Sequence, residues 1–225
     1  MKGKLFIIEG VDSSGKETQT KKLVERLIKD GFNVKTVSFP DYDSESSALV
    51  KMYLRGDFGT NANDVDLYTA STFYAVDRYA SYKTKWGKFF EDGGIVICDR
   101  YTTSNMVHQA SKLSLESEKD KFLEWLMDLE YGMYKLPMPD DVIFLDMPPE
   151  QAIQLMELRK NKFSGEESKD IHERDESHLV GAYKNAHYVA SKMNWSQIKC
   201  VDNGKIKTIE DISNEVYERI RSQIN

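Results

Sequence analysis

The segment Gly10-Val11-Asp12-Ser13-Ser14-Gly15-Lys16-Glu17-Thr18 constrains what this chain can fold into more than any other. It satisfies G-x-x-x-x-G-K, follows a short apolar run ending at Ile8, and precedes an amphipathic stretch, so strand, loop and helix are expected in that order. The residue types have a chemical reason. Gly10 and Gly15 permit backbone dihedrals that turn the loop's N–H groups, those of Ser13 and Ser14 among them, toward phosphate oxygens. The helix that follows presents its positive end to the same anion. Lys16 is placed to bridge β and γ phosphates. The next position, where a Ser or Thr hydroxyl ordinarily joins a Mg²⁺ shell, holds Glu17, with Thr18 one step later. Two readings are open: the Glu17 carboxylate serves the metal directly or through water, or Thr18 shifts to serve it.

A strand–loop–helix unit of this kind needs further strands. Apolar runs at 5–8, 33–37, 94–98, 142–145 and 197–201 read as buried strands. Helical patterns cover roughly 16–30, 45–54, 64–85, 103–112, 117–131, 149–157, 173–191 and 207–222. Their alternation predicts an α/β fold of three layers, with a five-stranded parallel sheet flanked by helices and ligands gathered at the C-terminal strand edge. At 225 residues one domain, 1–225, suffices, with no repeat or linker. The polar stretch 159–169, RKNKFSGEESK, reads as a mobile loop between helices, hence a lid at about 159–172. A net charge of −6 disfavours a nucleic-acid polymer as partner. Cys98 and Cys200 each end an apolar run and read as buried core. The first residues, with four apolar positions before an acid, form neither a signal peptide nor a membrane span, so the expected compartment is the cytoplasm.

A second cluster suits an organic anion. Tyr74 and Arg78 stand four apart on one expected helix face, where a ring can stack on a base and a guanidinium can read its carbonyl edge. The alternative places Tyr74 in the core and leaves Arg78 solvated or paired with a carboxylate. The strand IVICD ends in Asp99-Arg100-Tyr101 beside the phosphate loop. Arg100 is suited to a phosphate and Asp99 to a water or metal ligand, unless the two form an edge ion pair. Ser104, Asn105 and Gln109 add hydrogen-bonding groups on the next helix. His172, His178 and His187 lack partners at metal-ligand spacing.

In these blocks the chain resembles the thymidylate kinases over essentially its full length: IEGVDSSGKETQ (8–19), Phe39-Pro40, YAVDR (74–78), DRYTTSNMVHQ (99–109) and FLDMPPE (144–150) occur in order. The resemblance implies transfer of the γ-phosphate of ATP to thymidylate (dTMP) with Mg²⁺, in a P-loop kinase acting as a homodimer. It implies that Asp12 binds the acceptor's 3′-hydroxyl near the metal, Tyr74 stacks on thymine where relatives usually have Phe, Arg78 reaches a base carbonyl, and Asn105 bonds N3. Arg100 would hold the acceptor phosphate with Tyr42 close by, and Phe39 would wall the pocket, its bond to Pro40 a candidate for cis geometry. Position 13 is Ser where one branch carries a catalytic Arg, so this chain is similar to the branch that brings cations from the lid. Arg159, Lys160 and Lys162 are the candidates, while Ile171 stands where an Arg is common. His108 occupies the place of a Tyr often found beside the sugar. Other expectations remain: a kinase for another deoxynucleoside monophosphate, or a catalytically weakened P-loop nucleotide-binding regulator.

Overall fold

The structure, a computed structural model, describes residues 3–61, 63–162 and 176–224, with the side chains of 158–162 and 176–178 outside that set. In chain order the elements are β1 (Lys4–Glu9), α1 (Lys16–Lys29), β2 (Val34–Ser38), α2 (Ala48–Arg55), α3 (Leu67–Ser81), α4 (Gly87–Glu91), β3 (Ile95–Asp99), α5 (Thr102–His108) and α6 (Glu116–Met127). They continue with β4 (Asp141–Asp146), α7 (Pro149–Lys162), α8 (Glu176–Lys192), β5 (Ser196–Lys199), β6 (Val201–Asp202), β7 (Lys205–Ile206) and α9 (Ile209–Arg221).

The sheet order is β2-β3-β1-β4-β5, and every neighbouring pair is parallel. Its central strands carry nearly unbroken buried runs, Leu5 to Glu9 in β1, Ile95 to Cys98 in β3 and Asp141 to Leu145 in β4. Helices on both faces leave no solvent side for alternation to mark, so the expected five-stranded α/β architecture is present. β1 feeds α1 while its neighbours β3 and β4 lie to either side. The loops after β1 and β3 therefore open at the same sheet edge, where strand order reverses.

Local chemistry sets several boundaries. Asp66 accepts from the backbone N–H groups of Tyr68 and Thr69 and so starts α3. The helical stretch expected at 64–85 runs on through a π-helical turn, Tyr82–Trp86, into α4. α6 continues into a second π-helical turn, Asp128–Met133. The stretch expected at 45–54 begins as a 3₁₀ turn, Glu45–Ser47, and that at 103–112 ends in another, Ala110–Lys112. The expected strand at 197–201 divides at Cys200, whose N–H donates to Asp146 O at 2.9 Å, and the chain then makes the short β6–β7 hairpin. Cys98 and Cys200 are buried and unbridged, as their apolar surroundings suggest.

Candidate active site

Steric and dihedral constraints shape the phosphate loop. A Cβ on Gly10 would lie 2.6 Å from Ser14 Oγ and 3.1 Å from Leu145 O, so a side chain there would push the loop off β4. Gly15 takes φ +90° as the last residue before α1, a conformation that costs glycine little. The loop closes on its own lysine: Lys16 Nζ donates to Gly10 O and Val11 O, both at 2.8 Å. Burial, followed by repulsion from Arg100, brings the Lys16 pKa down to about 8, against attraction from Asp12, Glu9 and Asp99. Glu17 and Thr18 are exposed on the first turn of α1 and line the same cleft.

Across from Lys16 stand Arg100, Asp12 and His108. Arg100, at φ +65° just past β3, is held by its N–H to Ile8 O at 3.2 Å. Its Nη2 pairs with Asp12 Oδ1, and its Nη1 lies 3.1 Å from His108 Nε2. A guanidinium only donates, so His108 Nε2 accepts and the ring proton sits on Nδ1. Burial alone would raise the Asp12 carboxyl, but attraction to Arg100 and then Lys16 holds it well below the usual carboxylate range. Asp99 differs: burial pushes its pKa up, and its buried Oδ1 has no hydrogen-bond partner among the described residues. Arg100 thus pairs with Asp12, and the edge ion pair weighed for Asp99 and Arg100 is not formed.

The inner end of the cleft rests on a fully buried ion pair. Arg78 donates from Nε to Glu130 Oε2 at 2.6 Å and from Nη2 to Glu130 Oε1 at 2.5 Å, with side-chain exposures of 1% and 0%. Nη2 also donates to Asn105 Oδ1 at 3.1 Å, while Asn105 Nδ2 and Gln109 Oε1 are buried without partners among the described residues. Tyr74, Phe39 and Tyr101 supply aromatic walls, Tyr74 packing edge-on to Tyr53 at 6.4 Å. The Phe39–Pro40 bond is cis, and Phe39 N–H bonds Asp99 O at 3.1 Å.

One cleft of about 760 Å³ joins the two ends. Of the residues singled out from sequence it gathers Asp12, Ser13, Gly15, Lys16, Glu17 and Thr18 from the loop and α1. From elsewhere it gathers Phe39, Tyr42, Tyr74, Arg78, Asp99, Arg100, Ser104, Asn105, His108 and Gln109. Gly10 and Ser14 shape the loop without lining the cleft. The Arg159, Lys160, Lys162 and His178 side chains and residues Ile171 and His172 lie outside the described residues, as does most of the expected lid at 159–172. His187, which lacks partners at metal-ligand spacing in the sequence, bonds Asp146 Oδ1 at 3.0 Å.

Sequence reasoning missed Ser38, Leu54 and Leu155 on the wall, and gave Pro40 and Tyr101, though quoted in its blocks, no place there. It also missed two buried carboxylates behind the wall. Glu9 takes Gly10 N–H at 3.0 Å and the hydroxyls of Thr103 and Ser104 at 2.7 and 2.9 Å, tying the loop to α5. Glu130, in the π-helical turn after α6, lies four residues past Leu126 and so extends the buried stripe of Phe122 and Leu126. A carboxylate at such a position needs a buried cation, and that was the available signal. No three His, Cys, Asp or Glu side chains cluster as a self-sufficient metal cage among the described residues.

A family model described as thymidylate kinase matches residues 8–203. The chain is 33% identical over 172 residues to the thymidylate kinase of Mycobacterium tuberculosis, covering 76% of this chain and 78% of that one. It is 30% identical over 226 residues to that of Caldicellulosiruptor saccharolyticus, covering 100% and 97%. It is 27% identical over 219 residues to that of Plasmodium falciparum, covering 97% and 90%. A solved thymidylate kinase from Candida albicans shares the fold with a TM-score of 0.73 at 22% identity, covering 99% of this chain and 92% of that one.

Proposed function

This chain belongs to the thymidylate kinase family, and from that premise we propose how its residues divide the work. The reaction is transfer of the γ-phosphoryl group of ATP to dTMP, giving dTDP. The observation that carries the assignment of roles is the single cleft, with Lys16 at one end, Arg78 and Asn105 at the other, and Arg100 between them.

The attacking oxygen belongs to a phosphate already largely anionic at neutral pH, so no strong base is required, and alignment with charge neutralisation does the work. The loop amides of 10–15 and Lys16 hold the ATP phosphates, with Thr18 at the first turn of α1. Arg100 leaves Asp12 to grip the acceptor phosphate, and Asp12 turns to the sugar 3′-hydroxyl. Tyr42 lies near that phosphate, and Ser104 adds a hydroxyl at the start of α5. Tyr74 and Phe39 enclose the base, Arg78, Asn105 and Gln109 read its edge, and His108 faces the sugar.

Magnesium fits this donor set. Asp99 presents a buried carboxylate oxygen with no partner among the described residues, and Glu17 and Thr18 border the same space. A cation that binds one or two carboxylates plus phosphates and water needs no larger protein cage. When bound, Mg²⁺ supplies positive charge to the phosphate oxygens. The lid at 159–172, with Arg159 foremost, adds cations and excludes water; Arg159→Ala should lower turnover, and unchanged turnover would remove it from the reaction.

A homodimer accounts for the outer face of α3, where Tyr68, Val76 and Tyr79 are exposed. Sedimentation should give twice the mass of one chain, and a single-chain mass would contradict this. No helix of the described residues is long and apolar enough to cross a membrane, and the cytoplasm is the compartment we assign; fractionation of expressing cells tests it.

The deciding assay is ADP release from ATP and Mg²⁺ with a panel of monophosphates and a control lacking acceptor. Release should require an acceptor and be fastest with dTMP. Equal or faster release with cytidylate or adenylate would overturn the roles given to Tyr74, Arg78 and Asn105.

A further inference from the structure

Glu130 is fully buried in the π-helical turn after α6 and does not itself line the cleft. Its carboxylate takes Arg78 side-on through Nε and Nη2, and Oε2 also accepts from the Thr102 hydroxyl at 2.7 Å. The second hydrogen of Nη2 goes to Asn105 Oδ1. Because a guanidinium cannot accept, the Asn105 atom facing it is the oxygen, and Nδ2 is turned the other way, buried and unpartnered among the described residues. Of the five N–H donors of Arg78, two go to Glu130, one to Asn105 and one, from Nη1, to Tyr101 O at 3.4 Å, which leaves one on Nη1.

We propose that Glu130 is a positioning residue that sets which pyrimidine the cleft accepts, by fixing the donor and acceptor order of Arg78 and Asn105. The groups left for a ligand are a donor on Arg78 Nη1, the second lone pair of Asn105 Oδ1 and a donor on Asn105 Nδ2. In that order they complement a pyrimidine edge reading carbonyl, N–H, carbonyl, which is the edge of thymine or uracil. Cytosine reads amino, bare nitrogen, carbonyl, and would set donor against donor and acceptor against acceptor at the first two positions. Without an anionic carboxylate behind it, the guanidinium is no longer held side-on. The Asn105 amide can then flip, after which thymine keeps one complementary position, its first carbonyl, and cytosine also has one, its bare nitrogen, so the preference between them is lost. The inference rests on the reading of this cleft as the thymidylate site.

The test is steady-state kinetics of the full chain with dTMP and dCMP at saturating ATP, for the parent and Glu130→Gln, with thermal melts to establish folding. Glu130→Gln should raise the KM for dTMP roughly 10–100-fold, the usual range when a supporting partner behind a contact residue is lost, and leave the KM for ATP unchanged. The ratio of kcat/KM for dTMP over dCMP should fall by about tenfold or more. Glu130→Asp, which keeps the charge, should recover part of that ratio. If Glu130→Gln does not fold, Thr102→Val, which removes one hydrogen bond from Oε2 at similar volume, should lower the same ratio by a smaller factor. An unchanged ratio in the folded variant, or equal losses for both acceptors, would reduce Glu130 to a structural support and overturn the proposal. A parent enzyme without preference for dTMP over dCMP would instead overturn the reading of the cleft on which it rests.

Discussion

The two ends of the cleft hold their cations in different ways. Arg78 is exposed by 1% and gripped by a carboxylate exposed by 0%, whereas Arg100 and Asp12 are exposed by 23% and 25%. Breaking a fully buried pair by removing one member costs about 3–5 kcal/mol, whereas a half-buried pair keeps one side open, from which a ligand can approach and replace a partner. The Arg78 pair therefore belongs to the frame, and the Arg100 pair can be exchanged for a ligand. Lys16 follows the second pattern, because the carbonyls of Gly10 and Val11 occupy the donors that a phosphate would take. The end proposed for the base is arranged before binding, while the end proposed for the phosphates keeps its cations on interim partners.

The largest expected effect lies at the phosphate end. Lys16→Ala should lower turnover by ~10³ or more, as loss of a transition-state cation does, while the melting temperature changes little. A variant that unfolds would show that Lys16 is frame rather than exchangeable machinery.

A pH profile sharpens the same contrast. In the free enzyme Lys16 loses its proton through about pH 8, against an unperturbed 10.5. Accordingly kcat/KM for ATP should be level below about pH 8 and then fall by about tenfold per unit. Stability should respond with the opposite sign. A lysine whose folded pKa is depressed costs stability while charged, and between about 8 and 10.5 the unfolded chain binds more protons, so this group's contribution improves as pH rises. A kcat/KM profile flat to pH 10 would remove Lys16 from ATP capture.

The smallest effect concerns Glu17. Its charge helps to raise the Asp99 pKa, which places it within electrostatic reach of the proposed metal position. Glu17→Gln should raise the Mg²⁺ concentration for half-maximal rate by about 2–5-fold, given the screening expected of an exposed carboxylate. An unchanged magnesium titration would assign the metal to Asp99 and Thr18 without it.

What the sequence disclosed follows the same division. The phosphate loop was legible because its work is done by contiguous backbone whose spacing is the mechanism, and the central strands because burial on both faces writes itself as unbroken apolar runs. The base end depends on side chains brought together from far apart, with Arg78 and Glu130 separated by 52 positions. Arg78 was recognised together with its possible fates, a base carbonyl, solvent or a carboxylate. The structure supplies the carboxylate and leaves one Nη1 hydrogen without a partner among the described residues. Glu130 passed as an ordinary helical glutamate because helical spacing records a buried stripe but not the partner that lets a charge sit on it. The β6–β7 hairpin escaped notice because each strand is only two residues long.

Binding calorimetry with thymidine and thymidylate, on the parent and on Arg100→Ala, tests the central contrast most directly. If the base end is prearranged and Arg100 serves only the phosphate, both proteins bind thymidine equally, and Arg100→Ala binds thymidylate no more tightly than thymidine. Thymidine binding lost together with thymidylate binding would mean that the two ends form one cooperative network, and the division drawn between them would be wrong.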